Sequence, residues 1–358
     1  MNANDENTLN YVMSSCARFP LLLNAMRCSL LVSAHNLDCL FVIRGDGESL
    51  VVEHVRQPRL LGIALSDDQQ RLSLASYQQI WDYRRVDPAI LAGESTQLTA
   101  GKDAVYSPCG STVTGHLNTH DMAWGTDGLY MVNTRFNCIA RPAHGKSFEV
   151  VWMPPFISEL VPEDRCHLNG LAMKDGRPAY VSYFSQENSP YRWRQVSSFS
   201  GEIMSVTTHQ PVVTGLCLPH SPRIHEGYLY FCESGTGRLW RCREDRLPAS
   251  RTDLELVAEL NGFTRGLSLM GEVAFVGLSV VRRPKDGSAR HADMPLHQRR
   301  EPLSSGVVAL DLRNGEVIAN LTFSGDLNQI YDVEVLKGSM TPWIVDAESV
   351  ELSDLFIL

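Results

Sequence analysis

The chain has 358 residues, and its 41 acidic residues outnumber its 32 lysines and arginines, which gives a net charge of −9. This acidic balance, without a long basic run, argues against binding to a nucleic-acid backbone. Nothing in the sequence approaches the ~18 consecutive apolar residues of a membrane-spanning helix. The N-terminus is acidic where a secretory signal is basic, and the nine cysteines include no C-x-x-C pair. We therefore expect a cytoplasmic protein without a disulfide framework or a structural zinc site.

The first predicted elements lie in an N-terminal extension, residues 1–28. Apolar residues recur through residues 7–28, and Pro20 interrupts them, so the pattern predicts two short helical pieces. Three strand-like runs follow, at Ser29–Ala34, Cys39–Ile43 and Ser49–Val55.

From residue 61 onward, one hairpin-like unit recurs along the chain. Its clearest copy, His120–Thr134, has an apolar run, an Asp127-Gly128 turn and a second apolar run. Asp-Gly suits such a turn because glycine adopts positive φ without a steric penalty. Five more degenerate copies begin near Leu61, Asn169, His220, Arg265 and Tyr331. Copies about 45 to 65 residues apart predict an all-β fold, a six-bladed β-propeller over residues 29–358, with one inner hairpin per blade.

The two ends of the chain predict how this ring closes. Three strand-like runs precede the first hairpin, and few residues follow the last one, Tyr331–Asp346. We expect the N-terminal strands to complete the last blade, which leaves no open sheet edge. Two connections are unusually long, Arg84–Asn118 and Val281–Ser305. Loops of this length are commonly functional lids or interface arms, and the polar second loop is a candidate contact for a protein partner.

The residues that open the six inner strands predict a polar site. When the copies are aligned, these positions hold Leu61, His120, Asn169, His220, Arg265 and Tyr331. In a propeller they converge on one end of the central channel, and five of the six carry polar groups. We therefore place the function at this channel mouth.

Further polar residues are expected near the same mouth. The second strand of each hairpin returns there and brings Asn133, Arg135 and Glu233, and the loop 162–167 adds Arg165 and His167. The candidate substrate-binding residues are Asn133, Asn169, Arg165 and Arg223.

Two chemistries fit this set of residues. In the first, His120, His220 and His167 bind a divalent transition metal (zinc, iron or copper), and a fourth position stays open for water or substrate. Arg265 then clamps a carboxylate or an oxyanion, and Tyr331 acts as a general acid or base. Glu233 or Asp121 orients a histidine, and Arg135 is a further catalytic candidate at the rim. In the second chemistry no metal takes part, and the histidines themselves move protons.

Two other interpretations stay open. The histidines that open the strands can be hydrogen-bonded structural residues without a catalytic role. The chain can also be a non-catalytic propeller that binds a peptide or protein through its long loops.

Several stretches together resemble a family of bacterial conserved hypothetical proteins, whose members are sometimes fused to peptide-repeat modules. These stretches are Thr119–Gly125, Val132–Cys138, Pro154–Ser158, Pro162–Ala172, Pro219–Arg223, Glu233–Gly237 and Gly262–Leu267. The resemblance covers about residues 30–345. It implies a six-bladed propeller, and it implies no particular activity.

At the level of the fold, the mouth is similar to that of peptidyl-hydroxyglycine lyases, which hold zinc with three histidines beside an arginine and a tyrosine. It is less similar to gluconolactonase-like hydrolases, which use carboxylates and asparagines on calcium. Fold alone does not determine function, so the analogy only ranks the options. It favours a metal-assisted lyase, isomerase or hydrolase acting on a small polar molecule, with a biosynthetic tailoring role as one possibility.

Overall fold

The computed structural model describes residues 9–88, 99–281 and 291–349. The N-terminal segment contains a strand, β1 (Tyr11–Ser15), and a helix, α1 (Arg18–Met26). The strands β2 (Cys28–Ala34), β3 (Cys39–Asp46) and β4 (Ser49–Arg56) follow.

The next twenty strands form blades 1 to 5, four consecutive strands to a blade. Blade 1 contains β5 (Ile63–Leu65), β6 (Arg71–Ala75), β7 (Gln79–Val86) and β8 (Ala104–Val113). Blade 2 contains β9 (Thr119–Gly125), β10 (Gly128–Asn133), β11 (Cys138–Ala143) and β12 (Lys146–Trp152). Blade 3 contains β13 (Leu168–Lys174), β14 (Arg177–Tyr183), β15 (Gly201–Ser205) and β16 (Pro211–Leu216). Blade 4 contains β17 (Pro219–His225), β18 (Tyr228–Glu233), β19 (Arg238–Arg243) and β20 (Glu255–Glu259). Blade 5 contains β21 (Phe263–Met270), β22 (Val273–Ser279), β23 (Ser305–Asp311) and β24 (Val317–Gly325).

Both ends of the chain build blade 6, which closes the ring. Its inner strand is β25 (Ile330–Lys337), and this strand pairs with β2, which is followed by β3 and β4. The predicted closure by N-terminal strands and the six-bladed propeller are therefore confirmed. The last short strand, β26 (Pro342–Ile344), pairs in parallel with β8 at the edge of blade 1. The expected last hairpin, Tyr331–Asp346, is wrong, because β2 takes the place of its second strand.

Two other expectations also need correction. Within the predicted helical extension, Tyr11–Ser15 forms a strand that pairs with β24, so from residue 9 to residue 28 only Arg18–Met26 is an α-helix. Pro20 lies in the first turn of α1, where a missing amide hydrogen breaks no helical hydrogen bond. The long connection 84–118 supplies β8, the fourth strand of blade 1, and its residues 89–98 lie outside the described residues.

The apolar cores lie between the blades. Among the described residues, six of the buried apolar clusters lie between neighbouring blades, one for each pair of blades. Successive side chains of a strand point to opposite faces, so Leu30 packs towards blade 5 and Leu31 towards blade 1. Since both faces are buried, such strands read as continuous apolar runs.

The inner strands are also tied to each other by polar side chains. Asp121 accepts a hydrogen bond from the amide of Leu171 in the next blade, at 2.9 Å, and Asp332 accepts one from the amide of Ile63, at 3.0 Å. These bonds hold the ends of the inner strands at fixed positions around the channel. The helices of the described residues are all too short to cross a bilayer.

Candidate active site at the channel mouth

Strand register decides which residues form the ring at the mouth. In blade 5 the equivalent of His120 and His220 is Thr264, because β21 pairs from Phe263 onward just as β9 and β17 pair from the residue before each histidine. Arg265 lies one residue further along, so its expected place in the ring is off by one. Its side chain still reaches the mouth and lines a cavity together with His220.

The hydrogen bonds of His120 fix which of its nitrogens carries the proton. Its Nδ1 lies 2.8 Å from the carbonyl oxygen of Asn118 and 2.8 Å from the hydroxyl oxygen of Thr134. The Thr134 hydroxyl donates its only proton to the carbonyl oxygen of Leu168, at 2.6 Å. Towards His120 it can therefore only accept, so Nδ1 carries the hydrogen and Nε2 keeps its lone pair.

His220 is held by the same device in blade 4. Its Nδ1 lies 3.1 Å from the carbonyl oxygen of Leu218 and 2.8 Å from the hydroxyl oxygen of Ser234. Ser234 donates its proton to the carbonyl oxygen of Thr264, at 2.5 Å. The Nε2 atom of His220 is buried and has no hydrogen-bond partner among the described residues.

His167 faces the channel from the loop before β13. Its Nδ1 lies 3.1 Å from both carboxylate oxygens of Asp164, and its ring centroid lies 4.8 Å from that of His120. It lines the same cavity as His220. All three histidines predicted to bind a metal thus have Nδ1 engaged by a hydrogen-bond acceptor.

The donor chemistry of these histidines fits a transition metal, because Nδ1–H is held from outside and Nε2 is left for the ion. The spacing is less favourable. In the part of the chain that the structure describes, no three His, Cys, Asp or Glu side chains are gathered closely enough to hold one ion.

Burial and positive neighbours keep two of the histidines neutral. The pKa of His120 is lowered well below its usual value by burial, by His167 and by Arg265. The pKa of His220 is lowered well below its usual value by burial and then by Arg265 and His167. Both rings are therefore uncharged at neutral pH.

Arg265 and Tyr331 lie together beside these rings. The guanidinium carbon of Arg265 lies 3.5 Å from the centroid of the Tyr331 ring, a close cation–π contact. The Tyr331 ring centroid is 5.2 Å from that of His120. The two residues predicted as anion clamp and acid–base group therefore contact each other and the histidines.

Aromatic residues form the opposite wall of the cavity, whose volume is about 150 Å³. The ring of Trp193 lies 4.2 Å from that of His167 and stacks at 5.7 Å on that of His291. Phe184 lies between His167 and His220, at 4.5 and 5.2 Å. Sequence reasoning missed Phe184, Trp193 and His291, because they come from connections that follow no repeat.

A signal for the residues that orient the histidines was present in the sequence. Thr134 follows His120 by fourteen residues, and Ser234 follows His220 by the same interval. This common spacing places a hydroxyl at the end of the second strand, opposite the histidine that opens the first.

Two predicted site residues, Asn169 and Arg135, lie at the mouth. Asn169 is buried, its Oδ1 accepts a hydrogen bond from Ser182 at 2.7 Å, and its Nδ2 has no partner among the described residues. Arg135 lines a second cavity of about 350 Å³, where it donates to the carbonyl oxygen of His116 at 3.2 Å. Their predicted functional roles stay predictions.

Two other predicted residues organise turns. The Glu233 carboxylate accepts from Arg251 at 2.7 and 2.9 Å, from the indole of Trp240 at 2.8 Å and from the amide of Cys217 at 3.1 Å. No histidine is among the partners that the structure shows for it, so its expected role in orienting a histidine is wrong. Asn133, at the equivalent position of blade 2, accepts from the amide of Phe136 at 3.1 Å. It is fully buried and does not line either cavity at the mouth.

The two predicted substrate-binding arginines are engaged elsewhere. Arg165 pairs with Glu163 at 2.8 Å and with Glu159 at 3.0 Å, outside the channel. Arg223 lies inside the channel, where it forms a bidentate pair with Asp121 at 2.8 and 3.2 Å. Carboxylates of the chain thus already pair with both guanidinium groups, and the role of these arginines in substrate binding stays a prediction.

The long connection 281–305 is described from residue 291 onward. Met294 and Leu296 are buried against Leu218 and Cys217, so this part forms a wall of the mouth. Residues 282–290 lie outside the described residues. A protein interface on this connection stays a prediction.

Comparison with known proteins supports the fold and leaves the activity open. A family model described as a domain of unknown function (DUF4915) matches residues 17–345. The chain belongs to the DUF4915 family. This match confirms the family resemblance of the sequence, and its description names no activity. No curated protein matches the chain.

Solved structures of similar fold include a chain of the nidogen/laminin complex. It is 9% identical with a TM-score of 0.53, and the match covers 87% of this chain and 99% of that chain. A putative TolB from Agrobacterium tumefaciens is 15% identical with a TM-score of 0.44 and coverage of 89% and 93%. The periplasmic gluconolactonase PpgL of Pseudomonas aeruginosa is 13% identical with a TM-score of 0.46 and coverage of 86% and 99%. At these identities the likeness concerns the fold alone.

Proposed function

We propose that the channel mouth is the active site of a metal-assisted enzyme that acts on a small anionic molecule. The observation that carries this proposal is the common orientation of three histidines at the mouth. His120, His167 and His220 each direct Nδ1 to an oxygen acceptor. Histidines that bind metals commonly donate their other ring N–H to a carboxylate or a carbonyl oxygen, which orients the ring and strengthens the ligand.

In this proposal the three histidines hold zinc, iron or copper through Nε2, since these ions accept neutral imidazole readily. A bound ion of this kind supplies Lewis acidity or an activated water. Among the described residues no three such side chains are gathered closely enough to hold one ion, so ligation requires the rings to move towards one another. His167 is the most suitable to move, because it lies on a loop rather than on a strand.

The low proton affinity of His120 and His220 favours a role as metal ligands over a role as general bases. A general base works best when its pKa lies near the working pH. Burial lowers the pKa of His120 and His220 well below the usual value, so both are poor bases. A neutral imidazole is nevertheless the form that a metal requires.

Arg265 and Tyr331 supply the remaining functions. The guanidinium of Arg265 lies over the Tyr331 ring. Its N–H groups lie in the plane of the guanidinium, where a carboxylate can accept two of them. Arg265 therefore binds the anionic group of the substrate. Tyr331, next to His120, is placed to give or take a proton during lyase, isomerase or hydrolase chemistry.

We place the enzyme in the cytoplasm, because all nine of its cysteines are free thiols.

Elemental analysis tests this proposal. The protein is purified without added metal or chelator, alongside His120→Ala, His220→Ala and a control, His144→Ala, whose side chain is exposed on a turn of blade 2. We expect near-stoichiometric zinc, iron or copper in the wild type and the control, and loss of the metal in both channel variants with unchanged circular dichroism. If the wild type stays free of metal after incubation with each ion, the metal role is refuted. If the channel variants unfold, the histidines are structural.

A further inference from the structure

The larger of the two cavities at the mouth has a strongly positive lining. It occupies about 350 Å³ on the side of blades 1 and 2. The residues that carry its charge and its aromatic surface are Arg59, Arg135, Arg194, His116, Tyr77 and Tyr191. Three guanidinium groups around one cavity are unexpected in a chain whose net charge is −9.

Aromatic rings and carbonyl groups hold these arginines in place. The guanidinium carbon of Arg59 lies 4.5 Å from the centroid of the Tyr77 ring. That of Arg194 lies 4.6 Å from the Tyr191 centroid. In the described part of the chain, neither Arg59 nor Arg135 forms an ion pair with a carboxylate. A ring face orients a guanidinium without neutralising it, so the positive charge of Arg59 stays available to a ligand.

Among the described residues that line the cavity, the one carboxylate belongs to Asp164, and both of its oxygens contact Nδ1 of His167. It is therefore engaged by a histidine. The pKa of His116 is lowered by burial and by the charges of Arg135 and Arg59, as expected in a positive local potential.

We propose that this cavity binds the phosphate group of a phosphate monoester. A phosphate dianion offers three acceptor oxygens and two negative charges, which match several guanidinium groups better than a carboxylate does. The rings of Tyr77 and Tyr191 provide a surface for the organic part of the ligand. Arg59, Tyr77 and Tyr191 are exposed residues of this lining, so a ligand can enter the cavity from solvent.

The position of the cavity indicates which way the organic part of the bound monoester points. Asp164 lines this cavity, while its partner His167 lines the neighbouring one. Asn118 also lines it and accepts the hydrogen bond of His120. A phosphate bound here extends the rest of the molecule towards the histidines, so the substrate of the proposed enzyme is a phosphorylated small molecule. Only this last step rests on the proposed function.

Binding of phenyl phosphate tests the site without any need for turnover. Isothermal titration in a phosphate-free buffer that contains a chelator compares phenyl phosphate, inorganic phosphate and benzoate. The variants are Arg59→Met and Arg135→Met, which keep most of the apolar stem. The control is Arg243→Met, since Arg243 pairs with Asp245 on the outer part of blade 4.

We expect saturable binding of phenyl phosphate that is weakened by at least about tenfold in Arg59→Met and in Arg135→Met, and unchanged in Arg243→Met. Inorganic phosphate and benzoate should bind more weakly than phenyl phosphate. The proposal is overturned if phenyl phosphate does not saturate, if the three variants bind it equally, or if benzoate or inorganic phosphate binds as tightly. If Arg135→Met fails to fold, the binding of phenyl phosphate by Arg59→Met alone decides the test, because Arg59 is exposed.

This experiment separates the two proposals. Because the chelator removes metal, phosphate binding can succeed while elemental analysis of the purified protein finds no ion. In that case the phosphate site stands and the metal-assisted enzyme does not. If the purified protein contains metal but does not bind phenyl phosphate, the metal-assisted enzyme stands and the phosphate site does not.

Discussion

Replacing Arg223 with Met removes the only described guanidinium that the buried carboxylates of the channel share. Arg223 pairs with Asp121 at 2.8 Å, lies 3.9 Å from Asp332 and donates to the carbonyl oxygen of Leu171 at 3.0 Å. Glu334 lines the same end of the channel. One side chain of blade 4 therefore contacts residues of blades 2, 3 and 6.

The size of the effect follows from the charges left behind. At 2.8 Å and an effective dielectric constant of about 20, the Arg223–Asp121 attraction is about 6 kcal/mol. Part of this is offset in the wild type by the desolvation of the guanidinium. We therefore expect the variant to lose on the order of 3–5 kcal/mol in its free energy of unfolding at pH 8.

The loss should depend on pH. Burial, followed by the charge of Asp121, raises the pKa of Glu334 to about 7. Burial and Asp121 raise the pKa of Asp332 well above its usual value. Without Arg223 these pKa values rise further. A carboxyl group with a raised folded-state pKa stabilises the fold below its unfolded value and loses that contribution as the pH rises through the folded value. The destabilisation should thus shrink to about 2 kcal/mol at pH 5, where protons neutralise Glu334 and Asp332.

Urea denaturation at pH 5 and pH 8, followed by circular dichroism, measures this difference. Arg243→Met serves as the matched control, because it breaks a surface pair with Asp245. The control should change stability by less than about 1 kcal/mol at either pH. A loss of under 1 kcal/mol for Arg223→Met, or an equal loss at both pH values, would refute the shared role of this guanidinium.

Two further substitutions test the buried titrating groups. Glu334→Gln removes the group whose pKa lies near 7, so the variant should be more stable than the wild type at pH 8 by roughly 1–3 kcal/mol, with the gap closing towards pH 4.5. Denaturation curves across this range check the trend, and a constant gap would contradict it. His220 has a lowered folded-state pKa, so it stabilises the fold above about pH 6.5 and this contribution fades as the pH falls. His220→Gln should therefore lose less stability than the wild type between pH 6.5 and pH 5 in the same assay, and parallel curves would show that the ring is not held neutral.

The repeat of inner hairpins predicted the six blades because its signals are local. A turn such as Asp127-Gly128 needs particular residues at particular positions, and apolar runs on both sides mark strands with two buried faces. The closure of the ring could not be read in the same detail. Whether Ile330–Lys337 pairs with Pro342–Ile344 or with Cys28–Ala34 depends on residues some three hundred positions apart.

For a similar reason, the structure brings some of the predicted site residues together and leaves others apart. His120, His167 and His220 do meet at the mouth, because two of them begin strands at equivalent positions. Glu233 and Arg165 are equally polar in the sequence, yet in the fold they bind Arg251 and Glu163. A sequence shows that a side chain is charged, but its partner depends on which loops come together.

The sequence by itself thus determined the six-bladed β-propeller, its closure by the N-terminal strands and the end of the channel where histidines converge. Only the tertiary structure decided the tautomers of His120 and His220 and the assignment of each guanidinium to a carboxylate or to an aromatic ring. Repeat periodicity is set by neighbouring residues, which the chain order contains directly. A histidine, a hydroxyl and a carbonyl group on the next blade form hydrogen bonds only when their positions are correct to within a few tenths of an ångström. Such positions arise only when all six blades are packed.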